Sequence, residues 1–162
     1  MRHSQTPQSG KIQLYTPEER VRRDATVWTV IQGLLAPIQF LVFVVSLVLV
    51  IRFLIAGEGY ALAADSVVAK TALLYLIMIT GAVWEKIVFG QYLFAPAFFW
   101  EDVFSFAVIA LHSLYIFGLY GTNWSPVTLM LIALAAYGTY VINAGQFILK
   151  LRRARLDVEV AV

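Results

Sequence analysis

Four long apolar runs, separated by short polar or turn-forming segments, organise the chain. They extend from about Trp28 to Ile51, Ser66 to Phe89, Pro96 to Tyr120 and Pro126 to Leu149. Each is long enough to cross ~30 Å of hydrocarbon at ~1.5 Å of rise per residue. In lipid a single segment satisfies its own backbone only as a helix, so the pattern predicts four transmembrane helices.

The boundaries carry familiar end signals. Residues 1–15 are polar and irregular and read as a flexible N-terminal tail. Thr16-Pro17-Glu18-Glu19 then supplies an N-cap, a proline for the first turn and a glutamate that can reach back to the cap. A short amphipathic helix at the membrane surface is expected there, carrying Arg20, Arg22 and Arg23. Arg52 closes the first run and can snorkel. Gly57 to Asp65 connects to the second, with Asp65 or Ser66 as its cap and Lys70 near its start. Pro96 is expected in the first turn of the third helix, Gly121-Thr122-Asn123 in a tight turn, and Ser125-Pro126 at the start of the fourth. Lys150, Arg152, Arg153 and Arg155 end the last run.

Both ends are thus basic, which places both termini in the cytoplasm and requires an even number of crossings. The expected fold is an all-α integral membrane protein, a four-transmembrane-helix bundle forming one domain over 16–162. Nothing before residue 27 resembles the apolar region of a signal peptide, so the first span is expected to be retained.

Composition agrees. The 162 residues are 60% hydrophobic and only 14% charged, with a mean hydropathy of +0.78; a soluble domain is about 25% charged. The absence of cysteine excludes disulfides, thiolate metal sites and a cysteine nucleophile. Of two histidines, His3 lies in the polar tail, which argues against a multi-histidine metal site or a bis-histidine haem within one chain. The slight basic excess sits in the flanks, where topology explains it, and no nucleic-acid site is read.

Polar groups inside spans are costly and each needs a reason. Gln32 and Gln39 are seven apart and lie on nearly one face of the first span. The second span ends on Glu85-Lys86, the third opens on Glu101-Asp102, and Asn143 and Gln146 lie near the end of the fourth. All four spans therefore bring polar groups to one layer, around the connection 84–102, WEKIVFGQYLFAPAFFWED. Tyr92, Phe94, Phe98, Phe99 and Trp100 give that layer aromatic surface. His112 lies deeper, eleven residues beyond Glu101 and on its side of the helix together with Ser105, ~16 Å along.

Taken singly, these residues have plain structural uses. The acids suit a helix N-terminus, the aromatics the membrane interface, the amides interhelical hydrogen bonds. Their convergence points instead to a flat-walled pocket for a large planar apolar ligand with a polar rim. A quinone, haem, carotenoid or chlorin would each qualify.

Residues 14–54, LYTPEERVRRDATVWTVIQGLLAPIQFLVFVVSLVLVIRFL, and 81–112, GAVWEKIVFGQYLFAPAFFWEDVFSFAVIALH, closely resemble the 2-vinyl bacteriochlorophyllide hydratase family of phototrophic bacteria. The resemblance runs from about residue 14 into the fourth span. It implies addition of water to the C3-vinyl group of chlorophyllide a, or of a related bacteriochlorophyllide, giving a 1-hydroxyethyl group in bacteriochlorophyll a synthesis. It also implies residence in a bacterial inner membrane, cytoplasmic or intracytoplasmic. Hydration requires no redox cofactor, and none is expected. A second copy of the chain and neighbouring enzymes of the pathway are candidate partners, beside water and lipid.

The chemistry needs an acid to protonate the terminal vinyl carbon and a base to activate water. Glu85 and Glu101 are the expected acid/base pair, with Asp102 in reserve; Glu85, preceded by apolar span, is favoured as the acid. His112 is the candidate axial ligand to the substrate's magnesium, or a proton relay. Gln32, Gln39, Asn143 and Gln146 would bond the ring's polar rim or the water, and Lys86 its carboxylate or the lipid surface. Tyr92, Phe98 and Trp100 would stack on the ring. The rival readings are a non-enzymatic pigment carrier or assembly factor, which needs no acid, and a membrane anchor for haem or quinone.

Overall fold

The structure is a computed structural model describing residues 14–159, with side chains described to Arg152. All regular structure among these residues is helical: α1 (Pro17–Ala25), α2 (Val27–Ala56), α3 (Tyr60–Phe89), α4 (Phe99–Gly121) and α5 (Pro126–Glu159). Four helices are long and apolar enough to cross a membrane: α2, α3, α4 and Pro126–Arg152 of α5. Their large exposed side chains are mostly apolar, as lipid-facing surfaces require.

α1 begins with the capping box expected of Thr16 and Glu19: the Thr16 hydroxyl accepts from the Glu19 amide, and the Glu19 carboxylate from the Thr16 amide. α5 begins as expected too, the Thr128 amide donating to the Ser125 hydroxyl at 3.2 Å. Two other starts differ from the sequence reading. α3 starts at Tyr60, ahead of Asp65 and Ser66, because Gly57 and Gly59 take positive φ and complete the reversal within three residues. α4 starts at Phe99; Pro96 lies in a preceding turn closed by the Phe98 amide on the Ala95 carbonyl at 2.8 Å.

The spans form two hairpins, α2 packed along α3 and α4 along α5, which meet chiefly where α2 faces α5 and touch more sparsely between α3 and α4. Phe43, Val67, Leu74, Val108, Tyr137 and Tyr140 fill the centre. Where α4 turns into α5, Gly118 lies under Trp124; a Cβ there would stand 2.4 Å from the indole.

A second cluster closes the end of the bundle bearing connection 90–98. Tyr15 is 3% exposed, stacked on Phe89 at 5.7 Å and beside Phe98, with Trp84 and Phe147 against the same group. The segment read as a flexible tail is therefore anchored at its last residue; residues 1–13 lie outside the described residues. Arg23 covers the Tyr15 ring at 4.8 Å, and Arg22 donates to the Val88 carbonyl at 2.8 Å. Burial pushes the Tyr15 phenol above its ordinary pKa, outweighing the opposing effect of Arg23.

Candidate functional site

α3 ends at Gly90, whose positive φ lets its amide cap the helix on the Lys86 carbonyl. This stops the helix one turn after Glu85 and sends the chain back across its end. Residues 90–98 thus wrap over two carboxyls. Glu85 accepts from the Ala95 amide at 3.3 Å, and Asp102 from the Phe94 amide at 2.6 Å. Both side chains are buried and lie within hydrogen-bonding reach of each other. Phe94 has φ 60°, the sole non-glycine residue of positive φ among those described. That conformation is strained for a bulky side chain. It directs consecutive amides, Phe94 and Ala95, at the two acids.

Glu101 turns elsewhere. Successive helical residues point ~100° apart, so only one of two adjacent acids can face α3. Asp102 does so, while Glu101 pairs with Lys150 of α5 at 2.5 Å. Lys150 also donates to the Ala97 carbonyl, tying the connection to α5. The structure thus brings Glu85 together with Asp102, the reserve acid of the sequence reading, and places Glu101 with Lys150 instead. Lys86 is exposed; it donates to the Gly90 carbonyl at 2.7 Å and approaches the Tyr92 ring at 5.4 Å.

The aromatics divide. Phe98 is 2% exposed and occupied inside the second cluster, stacked on Phe147, so its ring is not a free wall. Tyr92 and Trp100 are exposed, at 59% and 65%, and face outward. An exposed aromatic row starts beside the acids, with Phe94 stacked on Phe106 at 5.5 Å and Phe99 packed against both Phe94 and Trp100.

The amides divide as well. Gln32 is taken up between helices, donating to the Thr80 hydroxyl at 2.7 Å, and Gly81 leaves room for it. Asn143 donates to Ser105 at 2.8 Å, but its carbonyl oxygen has no protein partner. The same holds for Gln39 Nε2 and Gln146 Oε1. His112 is wholly buried, with Nδ1 at 2.8 Å from the Val108 carbonyl and Nε2 unpartnered. Two further orphans are Lys70 Nζ and the Tyr115 hydroxyl. The sequence reading missed both as site residues. Lys70 offered a signal there, a cation well inside a span; Tyr115 offered none.

Native proteins pair nearly all buried polar atoms. Among the described residues six buried polar atoms have no protein partner, spread from the acid layer to Lys70 and Tyr115 beyond the middle of the bundle. Fold and site together define a small four-span membrane protein with a buried carboxyl pair at one end and an unsatisfied polar interior. The family follows from comparison. The profile of the 2-vinyl bacteriochlorophyllide hydratase family matches residues 15–153, and the chain belongs to that family. It is 64% identical over 156 residues to the 2-vinyl bacteriochlorophyllide hydratase of Cereibacter sphaeroides, covering 96% of this chain and 97% of that one. It is 68% identical over 144 residues to that of Rhodobacter capsulatus, covering 89% and 84%. No solved structure matches the chain.

Proposed function

We propose that the protein adds water across the vinyl group of a bacteriochlorophyllide-type magnesium chlorin in bacteriochlorophyll synthesis, using Glu85 and Asp102 as the acid/base pair. The observation behind the pair is its geometry: two buried carboxyls within reach of each other, each held by a backbone amide. Water addition by this pair needs a proton on one member and a negative charge on the other. One carboxyl gives that proton to the terminal vinyl carbon. The positive charge left on the adjacent carbon is shared with the macrocycle and stabilised by the ionised partner. A water oxygen bonds to that carbon and releases a proton to the free carboxylate, restoring the pair. The net change is one water added, giving the 1-hydroxyethyl group.

Gln39, Asn143 and Gln146 offer orphaned groups to the ring's rim or to the water, and His112 Nε2 a free nitrogen for the substrate's magnesium. Glu101 and Lys150 act as a clasp that fixes the connection over the acids. The sparse seam between α3 and α4, beside the exposed row of Phe94, Phe99 and Phe106, is the entry for a flat pigment from the lipid. Both termini and the 90–98 connection face the cytoplasm, α1 lies on the membrane surface, and the membrane is the bacterial inner membrane or its photosynthetic extension. The basic flanks support this orientation.

The test is to express the chain in a host without chlorophyll synthesis, add chlorophyllide a to its membranes, and follow products by chromatography with mass detection. A product heavier by one water, with its red band moved to shorter wavelength, is expected. No conversion of chlorophyllide a or a related chlorophyllide by folded protein would overturn the reading in favour of a pigment carrier.

A further inference from the structure

Lys70 stands apart from the other described lysines. Lys86 and Lys150 sit at the connection end and each donates to protein oxygens. Lys70 lies fifteen residues before Glu85, ~22 Å along α3, and is wholly buried. Its Nζ has no hydrogen-bond partner and lies over the face of Tyr140, 3.8 Å from the ring centroid. An aromatic face attracts a cation but accepts no strong hydrogen bond. Within a span, an ammonium without an oxygen partner is costly and marks a function.

His112, also wholly buried and with an unpartnered nitrogen, packs against Tyr137 in the same core. It follows Asp102 by ten residues, ~15 Å along α4. Three polar stations therefore follow one another through the bundle: the acid pair, His112, then Lys70. A magnesium chlorin presents three matching groups. The vinyl lies on one pyrrole ring, the metal at the centre, and the free carboxylate at the end of a flexible chain on an adjacent ring.

We propose that Lys70 is the binding residue for the substrate's free carboxylate, so that the pigment lies lengthwise between Lys70 and the Glu85–Asp102 pair. This rests on the chlorin reading above, and it replaces the surface lysine Lys86 as the carboxylate's partner. A carboxylate at Nζ supplies the oxygen that the protein withholds. It also fixes which edge of the ring reaches the acids, since the opposite orientation leaves two like charges at the pair and none at Lys70.

The test uses the full chain in detergent, titrated with chlorophyllide a and with its propionate methyl ester, binding being read from the red absorption band. A charge-assisted contact favours the free acid by about tenfold or more. Lys70→Met should abolish that preference and leave ester binding unchanged, while Lys86→Met keeps it. Equal binding of acid and ester by the native chain would overturn the proposal, whatever the fate of the variants. So would a preference that survives in Lys70→Met, or one lost in Lys86→Met instead. If Lys70→Met fails to fold, Lys70→Arg must retain the preference. Loss of catalysis with the acid preference intact would sink the hydratase reading alone and leave the carboxylate site standing.

Discussion

Glu85 of α3 and Asp102 of α4 lie within hydrogen-bonding reach, held by the amides of Ala95 and Phe94 from one turn of chain. The carboxyl pair is thus assembled across the seam between the two hairpins, and the connection that joins them also covers it.

Replacing either acid by its amide keeps size and burial but removes the transferable proton or its acceptor. Glu85→Gln and Asp102→Asn should each lower hydration by about 10²–10⁴-fold. Pigment binding and protein level should be retained. A Glu85→Gln variant with native turnover in the membrane assay would remove Glu85 from the chemistry.

Lys150 neutralises the buried Glu101. Lys150→Met leaves that carboxylate without its partner and should destabilise the bundle by about 3 kcal/mol. Adding Glu101→Gln should recover much of the loss. Denaturant unfolding of the single and double variants in one detergent gives the comparison, and equal stabilities across the set would refute the clasp.

Gly118→Ala should destabilise the far end of the bundle by about 1–3 kcal/mol, because the new methyl collides with Trp124 and Leu129. Trp124 fluorescence during thermal unfolding reads the effect. Gly138 has open space around its Cβ position, so Gly138→Ala is the control and should be tolerated.

Tyr15→Ala removes the ring that joins Phe89 and Phe98. A loss of about 3 kcal/mol is expected for a buried aromatic. Limited proteolysis at Arg20, Arg22 and Arg23 should quicken as α1 comes away from the end of α3. Unchanged cleavage would mean that the capping box and Arg22 alone hold the segment.

The chain has no cysteine, so single cysteines report topology cleanly. Gln91→Cys should react with a membrane-impermeant thiol reagent from the same side as the termini, and Asn123→Cys from the opposite side. Labelling of both from one side would refute the proposed orientation.

The number of the spans was legible because lipid thickness sets how long an apolar run must be, and the local end signals at Thr16 and Ser125 work within a few residues. The starts of α3 and α4 were not, since Tyr60 continues a helix through polar Asp65 and Ser66 while Pro96 serves a turn that lies across the end of α3. The gathering of the acids at the connection was legible from depth alone. Which acid meets which partner was not. In a span that is apolar on every side, sequence gives little sign of which face looks inward, and adjacent Glu101 and Asp102 differ only by ~100° of rotation. Packing of α4 on α3 and α5 decided that rotation. The same packing removed Phe98 and Gln32 from the candidate ligand surface and left Lys70 alone on Tyr140. By itself the sequence determined the number of long apolar helices and that they suit a membrane, because these depend on length and composition. Only the tertiary structure decided which polar groups are satisfied and which remain open, because satisfaction depends on neighbours that are distant in the chain.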